Sequence, residues 1–148
     1  MIRVSVASDV PRLVEVGRAV FGPSGLDAFV LRQFIDLFGP LVGVETDGES
    51  IDGFVVGGLA AEEGAGWMVV LAVAPAARRR GIGRHLTTWL LNAMVSIGAK
   101  ECRLTVSPTN TAALSLYRRA GFQEIGSEAD YYGPGEDRLV LAHTLLDV

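Results

Sequence analysis

Val69-Val70-Leu71-Ala72-Val73-Ala74-Pro75-Ala76-Ala77-Arg78-Arg79-Arg80-Gly81-Ile82-Gly83-Arg84 is the stretch on which the fold turns. An apolar run ends at a proline, a basic loop follows, and a helix opens on two glycines. From Trp67 to Val73 the run is nearly continuous, as expected of a central strand covered on both faces. Ile82, Leu86, Trp89, Leu90, Ala93 and Ile97 then recur at helical spacing, and Gly98 marks the end of that helix. N–H groups in a first helical turn lack intrahelical partners and carry partial positive charge. Glycines let an anion approach that backbone closely. Arg78, Arg79, Arg80 and Arg84 add cationic charge in a chain whose net charge is −4. The segment therefore predicts an anion site at a helix start, and a pyrophosphate suits it.

Working outward, Ile2, Val4 and Val6 alternate as a first strand. Ser8 is expected to cap a helix that has Pro11 in its first turn. Val10, Leu13, Val14, Gly17, Val20 and Phe21 follow at helical spacing, and Gly22-Pro23-Ser24-Gly25 breaks the pattern. A second helix is expected from Leu26 to Phe38, with Phe29, Val30, Phe34, Leu37 and Phe38 on its apolar side. Leu41 to Thr46 and Ile51 to Ala60 form a hairpin across Asp47-Gly48-Glu49-Ser50. Beyond the long helix, Glu101 to Val106 reads as a strand. A helix follows through Ala120. Gln123 to Tyr131 and Arg138 to Thr144 close the fold around Gly133-Pro134-Gly135. The order β-α-α-β-β-β-α-β-α-β-β predicts one mixed α/β domain over residues 1–148.

A chain of 148 residues suits one core. With 49 % hydrophobic and 20 % charged residues it is too apolar to be disordered. The acidic balance disfavours nucleic acid and suits a cationic partner such as an ammonium group. The lone Cys102 excludes an internal disulfide and reads as a small buried hydrophobe. No apolar run is long enough for a membrane span, and no apolar leader stands at the N-terminus, so the cytoplasm is the expected location.

Three anion motifs compete for the basic loop. The phosphate loop of nucleotide hydrolases needs G-x-x-x-x-G-K-[ST], which is absent. The dinucleotide fingerprint needs a third small residue where Leu86 stands, and a shorter loop. The pattern [RQ]-x-x-G-x-[GA] fits at Arg78, Gly81 and Gly83. A basic, solvated helix start without a ligand is the plain alternative.

Taken together, Val73-x-Pro75, Arg78-x-x-Gly81-x-Gly83 and Asn110-x-x-Ala113-x-x-Leu116-Tyr117-x-x-x-Gly121-Phe122 resemble the GNAT superfamily of acyl-CoA N-acyltransferases. The resemblance covers essentially the whole chain. It implies a central mixed, mostly antiparallel sheet of about seven strands with helices on both faces. It also implies acetyl-CoA as co-substrate, with no metal. In that family the donor strand bulges and splays from its neighbour, and pantetheine lies in the gap like an added strand. The matching positions are Leu71, Ala72 and Val73. Pyrophosphate would sit on Arg79, Arg80, Gly81, Ile82, Gly83 and Arg84, with Arg78 beside it. Asn110 matches a cofactor contact. Tyr117 matches the tyrosine near the sulfur, and is the expected general acid for the leaving thiolate. An N–H near Leu71 would polarise the thioester carbonyl.

The acceptor half is less determined. The chain is most similar to ribosomal-protein N-terminal alanine acetyltransferases, sharing Tyr131-Tyr132…Gly135-x-Asp137-x-x-x-Leu141. Their catalytic glutamate falls at Thr105, and threonine does not deprotonate an ammonium group near neutral pH. Glu62, Glu63, Glu128 and Asp130 are the available carboxylates, with Glu128 and Asp130 first. His85 and His143 read as surface and structural residues. Trp67, Phe29, Phe34, Tyr131 and Tyr132 are the candidate pocket lining. The tyrosine pair favours a peptide or protein amine over a small-molecule amine, on a monomer or homodimer. A CoA-binding module without catalysis is the rival reading.

Overall fold

The computed structural model describes residues 1–23 and 25–145; Ser24 of the expected break and residues 146–148 lie outside the described residues. The alternation at the N-terminus forms β1 (Ile2–Val4), which is shorter than expected. Asp9 is the reason. Its carboxylate takes two bonds from Arg3, at 2.8 and 2.9 Å, and one from the Val6 N–H at 2.8 Å. These bonds fold Ala7–Asp9 into a single 3-10 turn ahead of α1 (Val10–Phe21). Asp9, not Ser8, therefore occupies the cap position, and the Arg3 guanidinium holds its carboxyl below the usual range.

α2 (Ala28–Phe38) starts at Asp27, whose side chain accepts from the Val30 N–H at 2.9 Å. Leu31 is its fully buried residue, while Phe29 and Leu37 are 70 % and 72 % exposed. This corrects the expected apolar side. At 3.6 residues per turn, Phe29 lies about 160° and Leu37 about 120° around the helix from Leu31. The remaining elements are β2 (Val42–Thr46), β3 (Ile51–Leu59), β4 (Ala65–Val73), α3 (Ile82–Ser96), β5 (Glu101–Val106), α4 (Thr111–Arg119), β6 (Gln123–Glu128) and β7 (Arg138–Thr144). The sheet order is β1-β2-β3-β4-β5-β7-β6. β4 and β5 pair in parallel, whereas β1–β2, β2–β3, β5–β7 and β6–β7 are antiparallel. This is the seven-stranded mixed sheet expected of the GNAT resemblance. Among the described residues no helix is long and apolar enough to cross a membrane.

The chain divides into two compact units. In the first, Met1–Gly58 with Met68–Ala93, Val42 and Val44 pair with Val56 and Phe54 in a fully buried patch. Gly43 and Gly53 lie on the other face, under α3. A Cβ on Gly43 would stand 2.5 Å from the Trp89 ring. One on Gly53 would stand 2.9 Å from the Ala72 carbonyl oxygen and 3.1 Å from Ile82. Gly58, on the opposite face from Gly53, meets the Phe38 ring of α2. Helices thus cover both faces, and glycine is needed where α3 rests flat on the strands.

The second unit, Leu59–Trp67 with Met94–Val148, buries Cys102, Leu104, Val106 and Leu141. The Phe122 ring sits 5.8 Å from that of Tyr117 and 5.4 Å from that of His143, which gives His143 a packing role. β6 is an exposed edge that stops at Glu128, short of the expected Tyr131. Asp130, in the left-handed region with φ 53°, breaks it.

Gly53→Ala is expected to lower stability by about 1–3 kcal/mol, the usual cost of overpacking, because its methyl group meets both the β4 backbone and α3. A urea titration of the two proteins measures this.

Candidate functional site

β4 pairs with β5 over three residues: Ala65, Gly66 and Trp67 stand opposite Glu101, Cys102 and Arg103. β4 itself runs on to Val73. The Ala74 N–H donates to the Asp52 carbonyl at 2.8 Å. Strand alternation therefore turns the N–H and C=O of Ala72 toward β3, and those of Leu71 and Val73 toward the opposite edge. The second β3–β4 bond, Ala60 N–H to Ala65 C=O at 2.8 Å, shows a mismatch in count. Between the two bonds β3 advances from Asp52 to Ala60, while β4 needs one residue more, from Ala65 to Ala74, which is the count of a β-bulge. Met68, Val70 and Ala72 are buried, but Val69 is 46 % exposed and Trp67, Leu71 and Val73 are half-buried. β4 is thus fully buried on one face and only partly covered on the other, which corrects the expectation of full cover on both.

The loop after β4 holds its shape through two left-handed residues, Arg79 at φ 67° and Gly81 at φ 74°. Glycine adopts this conformation freely; for Arg79 it costs about 1–2 kcal/mol. Arg80, between them, is tied down. Its guanidinium donates to Asp52 at 2.9 Å and to the Ala77 carbonyl at 3.4 Å. Alternating handedness turns successive N–H groups inward, the geometry of an anion nest. Among the described residues, the N–H groups of Arg79, Arg80, Gly81, Ile82, Gly83 and Arg84 have no protein acceptor. The His85 N–H is the first to find one, Gly81 C=O at 3.0 Å. The side chains of Arg78, Arg79 and Arg84 are exposed and, among the described residues, unpaired. The loop expected to take an anion thus carries, among the described residues, six N–H groups without a protein acceptor and three exposed, unpaired guanidinium groups, while Arg80 serves the loop itself.

In the second unit α4 positions Asn110 and Tyr117. The Asn110 Oδ1 caps the helix by accepting from the Ala113 N–H at 3.2 Å, which leaves its Nδ2 free to donate outward. Tyr117 is buried beside Phe122, and its hydroxyl has no hydrogen-bond partner among the described residues. Burial, helped by nearby Cys102, pushes the phenol up to about 12, so it stays protonated through the neutral range.

Thr105 donates to or accepts from the Tyr132 hydroxyl at 2.9 Å. The Tyr131 ring stands 4.7 Å from that of Tyr132 at 70°, and the Arg138 guanidinium lies 5.1 Å from the Tyr132 ring centre. Asp130 and Asp137 close the loop between β6 and β7. Asp130 accepts from the Gly135 N–H at 2.8 Å, and Asp137 from the Asp130 N–H at 3.0 Å. Asp130 is thereby engaged as a loop staple. Glu62, Glu63 and Glu128 are exposed. Of the candidate pocket lining, Trp67, Phe34 and Tyr131 are half-buried, whereas Phe29 and Tyr132 are exposed. The pairs Arg80–Asp52 and Thr105–Tyr132 have no signature in the sequence, since they join residues 28 and 27 apart. A polar cavity of about 310 Å³ lies elsewhere, among Arg3, Asp9, Arg12, Thr46 and Ser50, and includes none of these residues.

Residues 15–122 match the Acetyltransferase (GNAT) family, and the chain belongs to it. It is 28 % identical over 158 residues to the N-alpha-acetyltransferase of Sulfolobus acidocaldarius, covering 97 % of this chain and 92 % of that protein. Against the N-alpha-acetyltransferase of Sulfurisphaera tokodaii it is 37 % identical over 81 residues, 54 % of this chain and 48 % of the relative. The match to the mycothiol acetyltransferase of Gordonia bronchialis is 39 % identical over 72 residues, 49 % of this chain and 23 % of the relative. The chain thus spans about half the length of one of these relatives and about a quarter of another. The solved NatC complex bound to Gag peptide and CoA shares the fold, with a TM-score of 0.85 at 20 % identity, over 99 % of this chain and 98 % of that one.

The raised Tyr117 pKa has a measurable consequence. The unfolded phenol ionises near 10 and the folded one near 12. Stability is therefore complete below pH 10 and lost as pH rises toward 12. Denaturant titrations at pH 9, 10 and 11 should show a shallower loss for Tyr117→Phe than for the wild type.

Proposed function

We propose that residues 1–148 work as one domain that binds acetyl-CoA and transfers its acetyl group to a primary amine, by direct attack in a ternary complex. The acceptor favoured is a peptide or protein N-terminal amine. The observation that carries this reading is the row of N–H groups from Arg79 to Arg84, at the start of α3, that have no partner among the described residues. Such a row suits the two phosphates of a pyrophosphate, and Arg78, Arg79 and Arg84 supply the compensating charge. Family membership and the N-alpha-acetyltransferase relatives support the choice of acetyl-CoA and of an α-amine.

In this reading pantetheine lies along the Leu71 and Val73 edge as an added strand. Ala72 contributes packing, because its backbone is turned to β3. The Leu71 N–H polarises the thioester carbonyl. Asn110 donates through Nδ2. Tyr117 is the general acid. With its pKa near 12 it is a weaker acid than a thiol, so it hydrogen-bonds the sulfur as charge develops and yields its proton late. Thr105 stands where the similar ribosomal-protein alanine acetyltransferases carry their glutamate, which favours a second reading, a CoA-binding module without catalysis.

Incubation with acetyl-CoA and pooled peptides separates these readings. Release of CoA thiol with acetylated peptides is the expected result; tight CoA binding without turnover on any amine supports the module instead. Gly83→Val should remain folded and lose most of the thermal stabilisation by CoA, since its side chain intrudes on the phosphate cradle. Unchanged CoA affinity in a folded Gly83→Val protein refutes this placement. Tyr117→Phe should lower kcat by about 10²-fold or more, with little change in CoA affinity.

A further inference from the structure

We infer that the Thr105–Tyr132 hydroxyl pair receives the acceptor amine as its free base, so that the pH dependence of the reaction belongs to the acceptor and not to a basic side chain. This rests on the acetyltransferase reading and deepens it.

Thr105 lies on β5 two residues beyond Arg103, the last residue paired with β4. That is the carboxyl end of a parallel strand pair, where ligands commonly enter open sheets. One hydrogen is shared between Oγ1 and Oη, which leaves one O–H and three lone pairs to face a ligand. Lone pairs accept N–H groups, but neither an alcohol nor a phenol takes a proton from an ammonium ion in neutral water. A neutral amine fits: its two N–H groups go to the two hydroxyl oxygens, and its own lone pair remains for the carbonyl carbon. The Arg138 cation 5.1 Å from the Tyr132 ring centre opposes a second cation at the pair. Arg138 is itself held by Glu136 at 2.9 Å and by the Asp137 carbonyl at 2.7 Å.

The charged groups around the pair are accounted for. On β5, Glu101 is bound to Arg103 at 2.9 Å. On β7, Val140 stands opposite Thr105 and Arg138 two residues away. In the loop, Asp130, Asp137 and Glu136 are engaged as described. On β6, Glu128 stands opposite Arg138, and its carboxylate is the one in this group without a partner among the described residues.

The step balances without a resident base. The amine lone pair forms the C–N bond, the C–S bond breaks, and sulfur leaves with the electron pair. Nitrogen becomes acidic once bonded to the carbonyl carbon and loses one proton to water. Sulfur gains one from Tyr117, which water restores. At pH 7 roughly a tenth of an α-amine is free base, against about one part in 2,500 of a lysine side chain. A site that takes only the free base therefore favours α-amines by a few hundredfold at equal intrinsic reactivity.

The test is the pH dependence of kcat/KM, from pH 6 to 10, for two peptides of one sequence. One has an ordinary α-amine, and the other an N-terminal amine made less basic by α-fluoroalkyl substitution. The expected inflection follows each amine's own pKa. Thr105→Val and Tyr132→Phe should each lower kcat/KM about tenfold, the double variant no further, with acetyl-CoA affinity and the inflection unmoved. Thr105→Glu should detach the inflection from the acceptor. One inflection shared by both peptides, or an inflection displaced in Glu128→Gln, overturns the hydroxyl-pair assignment alone. Failure of the wild type to acetylate either peptide, or any amine, overturns the acetyltransferase reading on which it rests.

Discussion

The short parallel ladder between β4 and β5 is the constraint on which the rest depends. Parallel neighbours cannot be joined by a tight hairpin, so the chain must cross over before β5 begins. The crossover is the basic loop and α3. It brings a helix N-terminus, with its free N–H groups, to the end of β4. Among the described residues the ladder ends at Trp67 and Arg103, and strand alternation turns the N–H and C=O groups of Leu71 and Val73 away from β3. One topological choice thus produces both a basic loop at a helix start and a strand edge turned away from β3, the two surfaces on which the proposed acetyl-CoA site draws.

The loop itself shows why charge count and charge use differ. Four arginines occur between Arg78 and Arg84. One of them, Arg80, is consumed by Asp52 and Ala77, which hold the backbone between two left-handed residues. The local conformational cost at Arg79 is offset by contacts made elsewhere in the first unit. The loop is held in shape by contacts within the protein, which in the proposed reading lowers the ordering cost of anion binding.

The proposed acceptor end is built differently, from hydroxyls and a closed loop. Asp130 and Asp137 are spent on backbone N–H groups and Glu136 on Arg138, so these three carboxylates serve structure, whereas Glu128 has no partner among the described residues. Beside them stands a neutral hydroxyl pair, Thr105 and Tyr132, next to the Arg138 cation. In the inference drawn above, such a surface discriminates by the protonation state of the amine.

The sequence alone determined the element order, a helix opening at the Gly81-Ile82-Gly83 segment, and the family. These are local matters: strand and helix periods, proline and glycine breaks, and motif spacing are all read within one or two elements. Tertiary structure decided which expected residues are available. It took Arg80 for Asp52 and Asp130 for Gly135, turned Ala72 toward β3, and left Phe29 and Leu37 facing outward. It also joined Thr105 to Tyr132. The reason is physical. Residue type and period set what a side chain can do, but its partner is chosen by whatever the fold brings within about 3 Å, often from a distant part of the chain.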